Sequence, residues 1–533
     1  MSARDSTPAD EVVARSATRP ADPSPPPTQP EGASTGAIDN RFLYLFVFVV
    51  GTGSLGAEIA AARLMAPFFG ASTIVWANTI GIVLVALSVG YWLGGKIADK
   101  HPHLRGMSLM VMVAAVMLAI VPLVARPLFD ISVDALDSIS AGAFVGSLFG
   151  VLVLLAAPVT LLGAAAPYAI RLTVPDVEHS GSVSGRLYAI STSGSLLGTW
   201  VSALLLIPLI GTQRTFIVFA AVIATVAAVG LGRRFLVVPA ALFLALAIPV
   251  GTVKATSNGE VIFETETENQ YVRVIERPDG DRILELNEGQ AVHSIYKPDT
   301  VLTDNVWDGY LVAPFAGLAE PPDRMAILGN AAGTTARAYG KYFPTTEIDG
   351  VEIDGELHDV GRRFFDMGSN ERLETHTADA RPWLRQSEGD YDVILVDAYR
   401  QPYIPFYLAT EEFFELVADK LAPGGLVIIN AGHPEGNDDL EQVLGRTMAE
   451  VFPSVLRDPK EPTNTLIIGS EAPISAARLR TSLPTLPPDL QPIAAAAAAR
   501  LGPRLPGGEV YTDDQAPVEW LIDKSLLDYA SDG

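Results

Sequence analysis

The chain has 533 residues, of which 49% are hydrophobic and 18% are charged, whereas a soluble domain carries roughly 25% charged residues. Residues 1–254 hold 13 Asp/Glu and 15 Lys/Arg (net +2), and residues 255–533 hold 48 and 22 (net −26), which sum to the −24 of the whole chain. A nearly uncharged half is thus joined to an acidic half that is long enough for its own core. This division excludes a single globular fold, a fibrous protein and a nucleic-acid binder. The lack of cysteine excludes thiolate metal sites.

Residues 1–40 are rich in Pro, Ala, Ser and Thr and predict a disordered tail. No apolar region with a cleavage site precedes Arg41, so a secretory signal peptide is not expected. Within residues 41–253, seven apolar blocks each approach the roughly 20 residues that a helix needs to cross a bilayer. They predict a multi-span α-helical membrane domain of about seven helices, at residues 42–64, 74–95, 107–126, 143–165, 187–210, 214–232 and 235–252.

Two features inside these blocks concern helix packing and polarity. Gly194 and Gly198 have the small-xxx-small spacing that lets two helix backbones approach closely. Glu58 is the one acidic residue well inside a block. A carboxylate at that depth is costly, so it indicates either a transport or coupling site or a hydrogen bond to a neighbouring helix.

The distribution of Lys and Arg predicts the membrane orientation. The tail and the even-numbered loops are basic, which favours the cytoplasm for them, and seven crossings would leave the acidic half outside. The last block is short and contains Pro239 and Pro249, so it could fail to cross. Six crossings would return the acidic half to the cytoplasm. The expectation is therefore a multi-pass protein of the cell membrane with a cytoplasmic soluble domain.

After residue 254 the pattern changes to short strands. Residues 255–318 contain VIFETETE, YVRVIER and RILELNEG, with a PDGD turn between the last two, which predicts a small β-hairpin domain. In residues 319–475 strands alternate with helices, which predicts an α/β Rossmann-like domain of the S-adenosylmethionine methyltransferase type, with a parallel doubly wound sheet. Residues 476–533 form a C-terminal extension.

Such a sheet binds ligands at the carboxyl ends of its strands. The turn from Gly329 to Gly333 would let the backbone approach a nucleoside at a helix N-terminus. Glu352, Asp379 and Asp397 each end or follow a later strand. Together they predict a site for a nucleoside-containing cofactor of the S-adenosyl type, and the alternative is a non-binding relic of the fold.

Residues of about 260–475 resemble the polyamine synthases (spermidine synthase, an aminopropyltransferase), and the whole architecture is similar to their membrane-fused bacterial members. ETENQYVRVIE and ILELNEGQ resemble the family's small β domain, and TEEFF a segment after its catalytic aspartate. The resemblance implies decarboxylated S-adenosylmethionine as co-substrate, with no permanently bound cofactor and no metal. It also implies that Asp397 is the catalytic general base; the alternative is a carboxylate that caps the turn after the strand. Gln290 would lie in the active site and bind substrate. The residues implied to contact the cofactor are Gln270, Gly329, Gly333, Glu352, Asp379 and Ala380.

The acceptor half of the site departs from the family pattern. Arg400 and Gln401 stand where the family has aspartate and proline, Ala332 replaces an acidic residue, and Val306-Trp307-Asp308 stands at the Tyr-His-Glu gate. Asp308 is the acidic residue kept at that gate and is expected to bind substrate. The acids of YTDDQAPVEW could supply the rest of an acceptor pocket or form an exposed turn; they are Asp513, Asp514 and Glu519.

Three functions follow as alternatives. The first is a membrane-anchored aminopropyltransferase acting on an amine such as putrescine. The second is an S-adenosylmethionine-dependent methyltransferase, which would need no carboxylate at Asp397. The third is a non-catalytic or transport-coupled membrane protein that binds a nucleoside or polyamine. The expected partners are the lipid bilayer and a small amine, not nucleic acid, and homo-oligomerisation is left open.

Overall fold

The computed structural model describes residues 40–69, 73–137, 142–174, 177–248, 256, 258–287, 291–399, 404–522 and 524. Among these residues, six helices are long and apolar enough to cross a membrane. A helix satisfies the hydrogen bonds of its own backbone N–H and C=O groups, which is required in a bilayer interior because no water is present there. The helices of this half are α1 (Asn40–Phe69), α2 (Thr73–Lys100), α3 (Leu104–Asp137), α4 (Gly142–Gly163), α5 (Ala165–Thr173), α6 (Ser180–Val201), α7 (Ile207–Ile210), α8 (Thr212–Leu231) and α9 (Val237–Ala245).

Helix α6 packs against α1 through its two glycines. A Cβ atom at Gly194 would lie 2.2 Å from the carbonyl oxygen of Phe48, and one at Gly198 would lie 2.0 Å from that of Thr52. Only glycine allows this approach of two backbones, so the predicted small-residue packing face is confirmed. Glu58 is 7% exposed within α1, and its role in transport or helix bonding stays a prediction.

The seventh apolar block differs from the other six. Arg233–Leu236 form a 3-10 turn of four residues and α9 adds nine, and both segments pack on α8. These thirteen residues are fewer than the roughly 20 that a single spanning helix needs. The block therefore does not form one long helix over its described residues.

The first four strands form an antiparallel sheet in chain order. Val272 pairs with Leu286 and Val274 with Leu284, and these buried side chains pack on the helix of residues 355–364. The predicted leader hairpin is confirmed, and the fourth strand was not predicted. The strands are β1 (Glu260–Glu266), β2 (Tyr271–Glu276), β3 (Arg282–Leu286) and β4 (Val292–Tyr296).

A second sheet of eight strands has the order β12-β10-β11-β9-β8-β5-β6-β7. Its five strands from β9 to β7 are parallel, as predicted for a Rossmann-like domain. The strands are β5 (Arg324–Leu328), β6 (Glu347–Glu352), β7 (Leu373–Thr377), β8 (Tyr391–Val396), β9 (Leu421–Gly432), β10 (Ser454–Glu461), β11 (Asn464–Ser470) and β12 (Gly502–Pro503). The helices are α10 (Val306–Tyr310), α11 (Thr334–Tyr342), α12 (Gly355–Phe364), α13 (Ala380–Gln386), α14 (Glu411–Lys420), α15 (Asp439–Val451), α16 (Ala476–Ser482) and α17 (Gln491–Arg500).

The sheet is not wholly parallel, which corrects the expectation from the sequence. Strand β11 runs antiparallel to its neighbour β9, β10 runs antiparallel to β11, and β12 runs antiparallel to β10. Glu461 pairs with Asn464, and a connection this short can join only antiparallel strands. The C-terminal extension also joins this core, because Tyr511 and Val518 are buried among residues of α14 and α15.

The helical bundle and the small sheet meet where α8 begins. The N–H of Thr212 donates to Oε2 of Glu266 (2.5 Å), and the Thr212 hydroxyl donates to Oε1 (2.6 Å). Glu266 is the last residue of β1. A carboxylate in this position binds a free helical N–H and interacts favourably with the helix dipole.

Candidate active site

The carboxyl ends of the parallel strands surround one cavity of about 590 Å³, a size typical of small-molecule sites. Strand β6 ends at Glu352, Asp397 directly follows β8, and Asp379 lies two residues after β7. All three line the cavity together with the turn after β5. The sheet therefore brings together the acidic positions that the sequence singled out.

The turn after β5 passes close to the end of β8. Gly329 has a φ of +97°, and a Cβ atom there would lie 2.4 Å from the carbonyl oxygen of Asp397. A larger residue would separate the two strand ends, so glycine is required here. Gly333 immediately precedes α11 and does not line the cavity, whereas Ala331 between them does.

Glu352 is buried and held by backbone donors. The N–H of Ala331 donates to Oε2 (3.0 Å), and the N–H of Asp354 donates to Oε1 (3.1 Å). Burial raises the pKa of Glu352 to about 7, although these N–H groups oppose the rise. Hydroxyl donors from a ligand would stabilise the charged form further.

Asp379 has two partners at the start of α13. Its carboxylate accepts from the N–H of Arg381 (3.2 Å) as the N-cap of the helix. It also accepts from the hydroxyl of Tyr407 (2.7 Å). Ala380 is buried beside it and also lines the cavity, so the pair lies where the sequence predicted.

Asp397 is half-buried among neutral polar groups. Its Oδ1 accepts from Nδ2 of Asn430 (3.0 Å). Burial raises the pKa of Asp397 to about 6, opposed by hydrogen bonding from Asn430 and by the nearby Tyr310 and Trp307 side chains. Burial and then the Asp397 charge raise the pKa of Tyr310 well above its ordinary value. A carboxylate of this kind is ionised near pH 7 yet basic enough to accept a proton.

Aromatic and amide side chains complete the wall near Asp397, and sequence reasoning did not single them out as site residues. The Tyr399 hydroxyl donates to the backbone carbonyl of Asn430 (2.7 Å) and accepts from the backbone N–H of Gly432 (2.6 Å). Trp307 and Phe406 also line the cavity. Trp307 and Tyr399 lie within segments already compared with the family, whereas Asn430 is placed only by the pairing of β9 with β8.

Two of the residues predicted to bind substrate, Asp308 and Asp513, form hydrogen bonds within the protein and lie outside the lining of this cavity. Asp308 accepts from the backbone N–H groups of Thr303 and Asp304 (both 2.8 Å). Asp513 pairs with both terminal nitrogens of Arg381 (2.6 and 2.7 Å). Both carboxylates are thus held by protein donors, which is the physical reason they do not face the cavity.

The remaining predicted residues divide between the lining and the surface. Glu519 lines the cavity, and so does Gln270; Gln270 donates from Nε2 to Oδ2 of Asp354 (3.1 Å). Asp514 is exposed and is not among the lining residues. Gln290 and Arg400 lie outside the described residues, so their predicted positions stay predictions.

Known proteins match the same half of the chain. The spermine/spermidine synthase domain family matches residues 310–460. A "Probable polyamine aminopropyl transferase" of Bifidobacterium longum is 36% identical over 191 residues, covering 36% of this chain and 42% of that protein. A "Polyamine aminopropyltransferase" of Vibrio vulnificus is 29% identical over 164 residues, covering 30% of this chain and 54% of that protein. The chain thus spans about half the length of the curated relatives it matches.

Among solved structures, a probable spermidine synthase from Corynebacterium glutamicum is similar to this chain. It has a TM-score of 0.38 and 21% identity, with 49% of this chain and 100% of that chain covered. The matched family region, residues 310–460, contains Glu352, Asp379 and Asp397. Residues 310–460, which follow an apolar helical region, form a domain of the spermine/spermidine synthase family.

Proposed function

We propose that this chain is a membrane-anchored aminopropyltransferase that uses decarboxylated S-adenosylmethionine and an amine acceptor such as putrescine. One observation carries the proposal. Half-buried Asp397, whose raised pKa suits a proton acceptor, lines the same cavity as Glu352 and Asp379, and all three lie in the matched family region. The division into tail, helical domain, small β domain, Rossmann-like domain and extension belongs to this proposal.

The nucleoside half of the cavity would hold the donor. Glu352, fixed by two backbone donors, would accept hydrogen bonds from the ribose hydroxyls. Asp379 and Ala380 would bind the adenine, and Gln270 would contact the donor from the small sheet. A carboxylate that accepts two vicinal hydroxyls is the usual ribose contact at the end of this strand.

The transfer step needs a neutral amine and a base. The amine nitrogen would attack the carbon of the aminopropyl group that is bonded to sulfur. A C–N bond forms as the C–S bond breaks. The electron pair of the C–S bond neutralises the sulfonium, so neutral methylthioadenosine leaves without an acid. The nitrogen becomes positively charged and passes its proton to Asp397, which acts as a general base.

The acceptor half of the cavity is mainly aromatic and amide in character. Trp307, Tyr399 and Phe406 line it, and Glu519 is an acidic residue at its border. Aromatic faces attract the ammonium end of an amine. These residues support an amine acceptor although Asp308 and Asp513 face elsewhere.

Product analysis of the full-length protein tests the function. The purified chain in detergent would be given decarboxylated or ordinary S-adenosylmethionine with putrescine or spermidine. Release of methylthioadenosine with a lengthened polyamine supports the proposal. Release of S-adenosylhomocysteine instead would identify a methyltransferase, and binding without turnover would identify a nucleoside or polyamine binder.

The contact between Thr212 and Glu266 bears on the membrane orientation. Helix α8 has 20 residues and spans about 30 Å. Since the start of α8 touches β1, the soluble half lies on the membrane face where α8 begins. The chain after Leu231 would then have to return across the bilayer before Glu260, which supports an odd number of crossings and argues against the six-crossing alternative.

We propose that the soluble half faces the cytoplasm, because its donor is made there. With an odd number of crossings, residue 40 and the basic loops would then face outward, against the usual bias of Lys and Arg. Alkaline phosphatase and green fluorescent protein fused after Glu260 test this orientation. Fluorescence without phosphatase activity is expected; phosphatase activity alone would place the domain outside and contradict both the location and the supply of donor.

A further inference from the structure

The first residue of α8 is connected to the nucleoside side of the cavity through the carboxylate of Glu266. Both oxygens of Glu266 accept hydrogen bonds from Thr212, which is buried at the first position of the helix. Thr267, the next residue after Glu266, begins the turn that leads into β2. This junction therefore fixes one side of the β1–β2 turn against the helical bundle.

A cation of the bundle acts on the same region. Burial raises the pKa of Glu266, and the hydrogen bonds from Thr212 and the charge of Arg63 oppose the rise. Burial likewise raises the pKa of Asp354, and Arg63 is again among the groups that oppose it. Arg63 belongs to α1. A positive charge of the bundle thus favours the ionised form of both carboxylates.

Asp354 connects this junction to the cavity. Its Oδ2 accepts from the hydroxyl of Thr267 (2.6 Å) and from Nε2 of Gln270 (3.1 Å). Its N–H donates to Oε1 of Glu352 (3.1 Å). Gln270 and Glu352 line the cavity, whereas Asp354, Glu266, Thr212 and Arg63 are not among the lining residues.

We propose that Thr212 of the helical bundle is a positioning residue for the nucleoside half of the cavity, acting through Glu266 and the adjoining Thr267–Asp354 hydrogen bond on Gln270 and Glu352. The inference rests on the proposed function, since the ligand it concerns is the adenosyl donor. The bundle then contributes to donor binding besides anchoring the chain. Since binding depends on preorganised groups, loosening the junction weakens donor binding more than it slows the chemical step at Asp397.

The test uses the full-length protein in detergent and two measurements. Methylthioadenosine affinity is measured by calorimetry, and kcat and the two KM values are measured by product analysis. The variants are Thr212→Val, Thr212→Ser and Glu266→Gln. Thr225→Val is the matched control, because Thr225 lies in the same helix and its hydroxyl donates to the carbonyl of Ala221 within that helix.

For Thr212→Val and Glu266→Gln we expect the donor KM and the methylthioadenosine Kd to rise about tenfold, while kcat at saturating donor and the amine KM stay within twofold. Thr212→Ser, which keeps the hydroxyl, should retain most of the affinity, and the control should equal wild type. Thr212→Val combined with Glu266→Gln should be no worse than the more affected single variant, because both remove the same contact.

Unchanged donor KM and Kd in Thr212→Val and Glu266→Gln would overturn the inference, as would a fall of kcat without a change in Kd. If a variant fails to fold, the remaining variants and the double-variant comparison still decide the matter. Failure of the proposed function gives a different result, since the wild-type chain itself would then neither bind methylthioadenosine nor release it.

Discussion

The side-chain amide of Asn430 donates to Oδ1 of Asp397 over 3.0 Å, and its carbonyl accepts from Nδ2 of Asn464 over the same distance. Asn464 opens β11, and Asn430 lies near the end of β9. The antiparallel strand beside β9 therefore sets the orientation of the amide that bonds the proposed base. The unexpected edge of the sheet thus supports the site.

Replacing Asp397 by Asn tests the proposed base. The amide keeps the shape of the carboxylate but cannot accept a proton, so kcat should fall by roughly 10²–10⁴-fold. Calorimetry with methylthioadenosine should show nearly unchanged affinity. Asp359→Asn, at an exposed ion pair on α12, is the control. A parallel loss of affinity and rate would instead make Asp397 a structural carboxylate.

The pH dependence of kcat/KM should report Asp397. Its pKa is raised to about 6, and the ionised form is the base, so kcat/KM should fall as the pH drops through about 6. Because Asn430 lowers this pKa, Asn430→Ala should move the acidic limb to higher pH. A pH–rate profile from pH 5 to 9 measures both curves, and an unshifted limb in the variant would argue against Asp397 as the titrating group.

Glu352→Ala should weaken donor binding. The change removes the proposed ribose contacts and leaves the N–H groups of Ala331 and Asp354 without their acceptor. The loss should be on the order of 2–4 kcal/mol in calorimetry with methylthioadenosine. Glu371→Ala, at an exposed position, provides the comparison. Equal affinity in the two variants would remove Glu352 from the site.

Glu352 should also make the protein less stable at high pH. Its folded pKa of about 7 exceeds the ordinary value of 4.5, so the folded state holds more protons between these values and stability falls as the pH rises through them. Glu352→Gln should relieve a cost of about 2 kcal/mol at pH 8 relative to pH 5. Thermal unfolding at both pH values checks this, and an equal shift in Tm at both would contradict it.

Asp513 should matter for the C-terminal segment rather than for the acceptor. Arg381 and Asp513 form a two-bond ion pair whose side chains are 10% and 45% exposed, and a hydrogen bond from Thr410 adds to it. After screening by solvent, Asp513→Asn should lower stability by about 1 kcal/mol and leave the amine KM unchanged. Glu519→Gln, at the cavity wall, should raise that KM. The opposite pattern would restore Asp513 as a substrate residue.

Local patterns in the sequence were enough for several parts of this protein. Long apolar blocks predict helices because a bilayer-length run has no other stable form in lipid, and six of the seven formed such helices. Alternating residues and the PDGD turn predict the β2–β3 hairpin, which formed as expected. Glu352, Asp379 and Asp397 could be selected because strand ends are local features and parallel strands end at one edge of a sheet.

Other features depend on contacts between distant segments. Asp308 and Asp513 resemble site acids in the sequence, but backbone N–H groups and Arg381 hold them away from the cavity. Asn430 reaches Asp397 only because β9 pairs with β8. Charge and spacing along a chain do not say which donor a carboxylate will meet. Tertiary packing decides that, since each buried carboxylate takes the partners that the fold brings within hydrogen-bonding distance.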